Sequence, residues 1–439
     1  MNMEKTGTVR VSLTTLGCKV NQFESAAFLS ELEQRGVELV PFSRPADICI
    51  INTCAVTARA GAQSRQMIRR ALRENPGARL VVTGCYAQVA AQEIVEISDS
   101  PFCIVGNNFK HRLVEVALAE GRCDLEMHLG DIGASREICP LTVTSFGDRT
   151  RASLKVQDGC NSFCSYCIVP YSRGRSRSLD PERVLAQAQI FAGQGYKEQV
   201  LTGIHLGHYG HDLAPRTTLV DLLRLLLAQD FSGRYRLSSL EPAEIGDELL
   251  DLMAGSEAVM PHLHIPLQSG DDRILKRMNR RYSVANFVSV VEKCAAVLPG
   301  AAVGVDVLVG FPGEDQDAFA NTFGLLASLP VSSLHVFPYS RRPGTPAASM
   351  AGQVEKKVKE ERVALLRELD GKKRAAFYRQ HLGTVRQVLV EGHSQGRLLR
   401  GFTDNYIPVF LEGPASLAGQ LVEVRLQEPT AGGVRGGVR

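Results

Sequence analysis

Cys160, Cys164 and Cys167 fall within eight residues, in GCNSFCSYC. Three thiolates on one loop suit soft or borderline metals, chiefly zinc and iron–sulfur clusters. The number of ligands separates the two. A structural zinc takes four, and the next cysteine, Cys294, lies far outside zinc-finger spacing. Three ligands on a four-iron cluster leave one iron open to bind something else. The motif therefore reads as an iron–sulfur site, with zinc or plain packing as the alternatives. There are eleven cysteines. The N-terminus, MNMEKTGTVR, lacks the apolar core of a signal peptide. A cytoplasmic chain with reduced thiols is expected, not a disulfide framework.

A second set of cysteines is visible only once the elements are placed. Strand-like runs cover VRVSLTTLG (9–17), DICIINTC (47–54), RLVVTGC (79–85) and FCIVG (102–106), with amphipathic stretches at 22–35 and 59–73. Such alternation predicts an open, mostly parallel α/β sheet over 8–122. Cys18, Cys54 and Cys85 close the first three runs. Ligands of such sheets bind beyond the carboxyl ends of the strands, so a second metal site is expected there. The plainer alternative is that cysteine is common in buried strands, as for Cys49 and Cys103.

Residues 123–150 lack periodicity and read as a linker. Six further strands are expected at 152–157, 198–203, 234–240, 262–267, 302–309 and 332–338, with helices between them. Over 151–370 this is a partial (β/α)6 barrel, short of the eight-unit closed form. A charged helix near 354–381 leads to four short strands, a small β-barrel pattern over 371–428. The Gly-rich tail, 429–439, is expected to be disordered. Residues 356–439 carry 15 Lys+Arg against 9 Asp+Glu, whereas the whole chain carries 50 against 47. Positive charge thus gathers at the small barrel. The 439-residue chain is 44% hydrophobic and contains no GxxxxGK[ST] phosphate loop. Its longest nearly apolar stretch, Ala301 to Phe311, is far short of the ~20 residues that span a bilayer, so no membrane partner is expected.

At these residues the chain resembles the radical S-adenosylmethionine (SAM) methylthiotransferases, from about residue 9 to 427. CxxxCxxC, three strand-end cysteines and a terminal β-barrel together carry the resemblance. It implies an N-terminal methylthiotransferase domain, a radical SAM partial barrel and a small RNA-binding barrel called TRAM. It also implies that Cys160, Cys164 and Cys167 hold a [4Fe–4S] cluster whose open iron binds SAM and cleaves it to a 5′-deoxyadenosyl radical. Cys18, Cys54 and Cys85 would hold a second [4Fe–4S] cluster that carries or supplies sulfur. SAM would then serve as both methyl donor and radical source. The stretch GCKVNQFES resembles the members that methylthiolate carbon 2 of N(6)-threonylcarbamoyladenosine at tRNA position 37. Lys19 and Val20 carry that assignment, because relatives acting on isopentenyladenosine or on a ribosomal protein differ there. Those two substrates are the alternatives within the family, and a non-catalytic iron–sulfur RNA-binding redox sensor is the alternative outside it. Implied partners are the tRNA anticodon loop, a reductant such as flavodoxin or ferredoxin, and a sulfur source. A monomer is expected.

Further site residues follow from the resemblance. Tyr166 is a candidate to pack near adenine. Gly203, in LTGIHLGHYG, would let backbone approach SAM or simply build a turn. Ser239 and Glu241 could meet the ribose or amine of SAM, and Gly310 flanks adenine or forms a turn. His205, His208 and His211 are spaced by three, but intervening glycines argue against a helical metal site. His262 and His264 share a strand face, so core or substrate-facing roles are expected. For RNA, Arg173, Arg175 and Arg177 alternate beside an aromatic just after the cysteine loop, which suits phosphate contact and stacking. Lys372, Lys373, Arg374, Arg397 and Arg400 are further candidate contacts.

Overall fold

The computed structural model describes residues 8–120, 125–147, 149–393 and 398–439. The strand Ile48–Thr53 reads ICIINT and is buried along its whole length. Such a run suits the centre of a parallel sheet covered on both faces. The sheet has six strands in the order Glu38–Leu39, Arg10–Thr15, Ile48–Thr53, Arg79–Gly84, Cys103–Val105 and Glu126–His128, and every pairing is parallel. The chain adds its second strand on one side of the first and all later ones on the other. The order therefore reverses between Arg10–Thr15 and Ile48–Thr53, the switch point where such sheets bind ligands. Cys18 and Cys54 lie just past these two strands, and Cys85 follows the next one.

The segment expected as a linker is more ordered than its composition indicates. Glu126–His128 supplies the sixth strand, and Ile132, Ile138, Val143 and Phe146 are buried. Short apolar residues spaced irregularly give no period, yet they fill the seam between the two large domains.

The second domain has six parallel strands in two groups of three. Arg151–Lys155, Glu198–Thr202 and Arg234–Leu237 form one group, and His262–His264, Ala302–Val309 and Ser333–Pro338 the other. A single bridge, Tyr235 to Val259, links them. This is the expected partial barrel, open along one side. The helix Lys356–Gln380 runs beside its last strand and buries Val363, Leu366 and Leu369. Among the described residues no helix is long and apolar enough to cross a membrane.

The chain ends in a closed five-stranded barrel: Val385–His393, Leu399–Thr403, Pro408–Leu411, Gly433–Val438 and Leu421–Thr430. The tail expected to be disordered is its closing strand, paired with both Pro408–Leu411 and Leu421–Thr430. The glycines that suggested disorder permit close packing. A Cβ at Gly433 would lie 2.2 Å from the Pro408 carbonyl oxygen, and one at Gly436 2.3 Å from Val424. Val434 between them is fully buried.

One buried ion cluster docks this barrel. Arg234 and Arg236 both pair with Glu198, at 2.7 and 2.8 Å. Their remaining N–H groups reach the small barrel, where Arg234 donates to the carbonyls of Gln387 and Phe402 and Arg236 to those of Thr403 and Asp404. Burial raises the Glu198 carboxyl, but the surrounding arginines outweigh it and hold it near 2. A carboxyl so depressed adds stability above its ordinary range near 4.5, and that stability is lost as pH falls toward 2. Glu198→Gln leaves two buried guanidiniums without a counter-charge. It is expected to destabilise the chain by about 3–5 kcal/mol, read as a lower melting temperature and faster proteolysis around residue 382. An unchanged melt would show that the arginines hold the barrel without it.

Candidate active site

The N-terminal cysteines are placed by backbone geometry. Gly17 and Gly84, the residues before Cys18 and Cys85, adopt φ of +103° and +97°, a region that only glycine enters cheaply. Space requires glycine too: a Cβ at Gly84 would sit 2.3 Å from the Thr53 carbonyl oxygen, and one at Gly17 3.0 Å from Cys54 Sγ. Asn21 clamps the first two strand ends, donating to the carbonyls of Leu16 and Thr53. Cys18 is exposed, and Cys54 and Cys85 are buried.

Behind these sulfurs lies a buried ion network. Arg173 donates to Glu24 at 2.9 Å, to Asp158 at 3.1 Å and to Asn21. Lys110 also pairs with Glu24, and Lys155 pairs with Asp158 at 2.7 Å. Three cations face two carboxylates, and the charges of Cys18 and Cys85 act on Arg173. Burial pushes the Cys54 thiol up to about 11. A bound metal would have to displace these protons.

The second set sits on the loop after Arg151–Lys155, held by a segment distant in sequence. Asn279 donates to the carbonyls of Ser162 and Phe163, at 3.1 and 3.0 Å, and Ser165 N donates to the Met278 carbonyl. Arg280 donates to Cys164 Sγ at 3.2 Å, to Tyr282 at 3.1 Å and to Glu241. His205 Nδ1 lies 3.4 Å from Cys160 Sγ, while its Nε2 meets Glu244. Burial raises the Cys160 thiol, but the hydrogen bond and charge of His205 together with the hydrogen bonds of Ser162 outweigh it and lower the net value. Burial pushes Cys167 up to about 12. Three sulfurs with an N–H donor and a cation beside them, and among the described residues no carboxylate bonded to any of them, fit an iron–sulfur cluster. A cleft of about 250 Å³ opens beside Cys164, lined by His205, Glu241, Glu244 and Arg280.

The two sets are linked. Cys167 leads into the short helix Val169–Arg173, whose last residue is the arginine behind Cys18 and Cys85. Ile168 packs in the same apolar cluster as Cys85. A cavity of about 400 Å³ opens on the inner face of the barrel, where Lys19, Arg236, His262, His264, Asp306 and His335 reach it. Tyr406 of the small barrel forms part of its wall and packs against His262 at a tilt, with ring centroids 4.7 Å apart.

The arginines expected to touch RNA divide. Arg173 is 1% exposed and Arg177 6%. Arg173 belongs to the ion network, and Arg177 donates to the carbonyls of Glu137, Arg173 and Arg175. Neither meets solvent, because partners distant in sequence fold over them. Arg175 is exposed. Lys373 spends its ammonium on the carbonyls of Ala327 and Leu329, at the end of the helix Gln316–Ser328, so it caps that helix and is not free for phosphate. Lys372 is exposed and paired with Glu368, and Arg374 is paired with Asp370 at the cavity wall. Arg400 is exposed over the Phe402 ring, and Arg397 lies outside the described residues.

Of the expected SAM contacts, Ser239 lines the cavity and Glu241 the cleft beside Cys164. Tyr166 packs edge-on against Phe311. Gly203 lies against Gln157, and Gly310 occupies a turn at φ +74° with its N–H given to Glu314. Sequence reasoning missed Arg280, Asn279, Glu244 and Lys110. The only signal for the network was Glu24 and Asn21 within KVNQFES.

Three family descriptions match the chain: "Uncharacterized protein family UPF0004" at residues 10–106, "Radical SAM superfamily" at 154–326 and "TRAM domain" at 379–438. The threonylcarbamoyladenosine tRNA methylthiotransferase MtaB of Bacillus subtilis is 40% identical over 422 residues, 95% of this chain and 93% of that one. The tRNA-2-methylthio-N(6)-dimethylallyladenosine synthase of Pelotomaculum thermopropionicum is 34% identical over 94% of each chain. Among solved structures, the radical SAM methyltransferase TsrM from Kitasatospora setae aligns with a TM-score of 0.57 at 16% identity, over 78% of this chain and 75% of that one. At that identity the likeness is one of fold.

Proposed function

The chain belongs to the tRNA methylthiotransferases of the radical SAM superfamily, and from that premise we propose that it methylthiolates carbon 2 of N(6)-threonylcarbamoyladenosine at position 37 of tRNA. The observation that carries this reading is the convergence of two cysteine triads, none of them in a disulfide, through the helix that joins Cys167 to Arg173. Cys160, Cys164 and Cys167 hold one [4Fe–4S] cluster, and Cys18, Cys54 and Cys85 hold the other. When bound, the clusters and SAM supply the electron, the radical and the sulfur that acid–base groups cannot, because an aromatic C–H has no useful acidity. The chain's own residues orient and insulate. Asn279 fixes the cysteine loop, Arg280 and His205 donate to its sulfurs, and Arg173 balances the charge of the second set. The exposed Arg175, Lys372 and Arg400 contribute salt-dependent affinity for the tRNA backbone. A one-electron reductant of the flavodoxin or ferredoxin kind and a sulfur source complete the reaction.

The test is anaerobic reconstitution followed by incubation with reductant, SAM and tRNA carrying threonylcarbamoyladenosine. Nucleoside mass spectrometry should show an added methylthio group. Deoxyadenosine without a modified nucleoside would move the substrate elsewhere in the family. Neither product, from a preparation with both clusters intact, would favour an iron–sulfur sensor.

Arg280 offers a separate check. Its N–H and positive charge at Cys164 stabilise the more reduced, more negative state. Arg280→Met is expected to shift the reduction potential of that cluster to more negative values, read by an electron-paramagnetic-resonance titration. An unmoved potential would mean that the contact serves only to hold the loop.

A further inference from the structure

The cavity reached by Lys19 contains a cation with no counter-ion. Lys19 starts the helix Lys19–Gln34 directly after Cys18. Among the described residues its ammonium has no ion pair or side-chain hydrogen bond, although it lies on the cavity wall. The nearby charges do not neutralise it. Arg151 and Arg236 repel it, and the carboxylate that attracts it, Glu198, is already shared by Arg234 and Arg236. Arg151 uses Glu391 at 2.7 Å. Three guanidiniums therefore divide two carboxylates before Lys19 is counted. The carboxylate on the wall, Asp306, is held 2.8 Å from His264 and 3.6 Å from His335. Two more polar atoms of the wall, Ser238 Oγ and His262 Nδ1, are buried without a partner. Buried polar groups are normally satisfied, and Lys19, which remains solvent-exposed, leaves an unpaired cation available to an anion. The cavity thus presents one unpaired cation, beside the paired Arg236 and Arg374, and two vacant hydrogen-bonding atoms, in about 400 Å³, a volume that suits a small organic group.

We propose that Lys19 pairs with the carboxylate of the threonyl group on the substrate adenine, so that it selects this substituent over an uncharged one, with Ser238 and His262 meeting its hydroxyl and carbamoyl atoms. The inference rests on the substrate reading above and adds the residue that enforces it. Lys19 is a specificity-determining residue and takes no part in the bond-making step. The same ammonium could meet a backbone phosphate, and the test separates the two anions.

The test uses cluster-loaded protein and three anticodon stem–loop RNAs. One carries threonylcarbamoyladenosine, one carries its neutral carboxamide, and one carries unmodified adenosine. Affinity is read by fluorescence anisotropy, and KM and kcat by nucleoside mass spectrometry. Iron content and absorbance near 400 nm confirm loading. The unaltered chain should bind the acid about tenfold more tightly than the amide, the worth of one charge-assisted contact. Lys19→Met should raise Kd and KM for the acid to the amide's values and leave the amide unchanged. Lys19→Arg should keep most of the preference. Equal affinity of the unaltered chain for acid and amide overturns the inference, and that arm needs no variant to fold. So does a Lys19→Met chain that still prefers the acid, or one weakened equally on all three RNAs, which would assign Lys19 to phosphate. Failure of the substrate reading looks different: the unaltered chain would then make deoxyadenosine but no methylthio product on the acid RNA.

Discussion

Cys164→Ala is expected to abolish SAM cleavage, with 5′-deoxyadenosine falling to background, while the fold survives. The side chain is small and 7% exposed, so removing its sulfur leaves a minor void costing roughly 1 kcal/mol. The loop keeps its other supports, since Asn279 still donates to Ser162 and Phe163 and Ser165 still bonds to Met278. One thiolate of three is gone, however, and the Arg280 N–H that pointed at it loses its partner. Cleavage of SAM requires the cluster that these three cysteines are proposed to hold, so the loss should be complete, and methylthiolation must go with it. Iron per chain should fall by about half if, as proposed, the strand-end cysteines hold a second cluster of their own. Anaerobic turnover assayed by chromatography, with an iron assay alongside, reads both. Residual deoxyadenosine above background would remove Cys164 from the ligand set.

How much of this was legible in the sequence depended on how far apart the interacting residues lie. Cys160, Cys164 and Cys167 share one loop, so their spacing alone suggests the chemistry. The strand-end cysteines needed one more step, the parallel sheet, and hydrophobic runs such as ICIINT supplied it. Arg280 had no signal, since its partner Cys164 is 116 residues away. Arg173 and Arg177 were misread for the same reason. Alternating arginines after a cysteine loop look solvated until Glu24, 149 residues upstream, closes on Arg173. The tail failed differently. Its glycine content is what a flexible segment and a tightly packed closing strand have in common, and only the clash of a Cβ with Pro408 or Val424 distinguishes them. Lys19 was visible as a residue that sets the substrate class. Its unpaired place on the cavity wall follows from arginines of the second domain, which no local pattern reveals.

Cys54→Ala should separate the two halves of the chemistry: deoxyadenosine continues to form, but no methylthio product appears. Cys54 is buried against Gly17 and shares its sheet edge with Cys18 and Cys85. None of these residues belongs to the loop that binds Cys160, Cys164 and Cys167. Removing the Cys54 sulfur therefore leaves that loop, its Asn279 clamp and its Arg280 contact untouched. The buried network behind the sheet edge also persists, because Arg173 is held by Glu24, Asp158 and Asn21 independently of any sulfur. The fair control is Cys49→Ala. Cys49 is a buried cysteine of the strand that leads to Cys54, bonded among the described residues only to Ser12, and lies four residues before the strand end. It should retain full product formation, which would separate a ligand cysteine from one that merely packs in a strand. Methylthio product from Cys54→Ala, or its loss from Cys49→Ala at an unchanged melting temperature, would refute the assignment of the sulfur chemistry to the sheet edge.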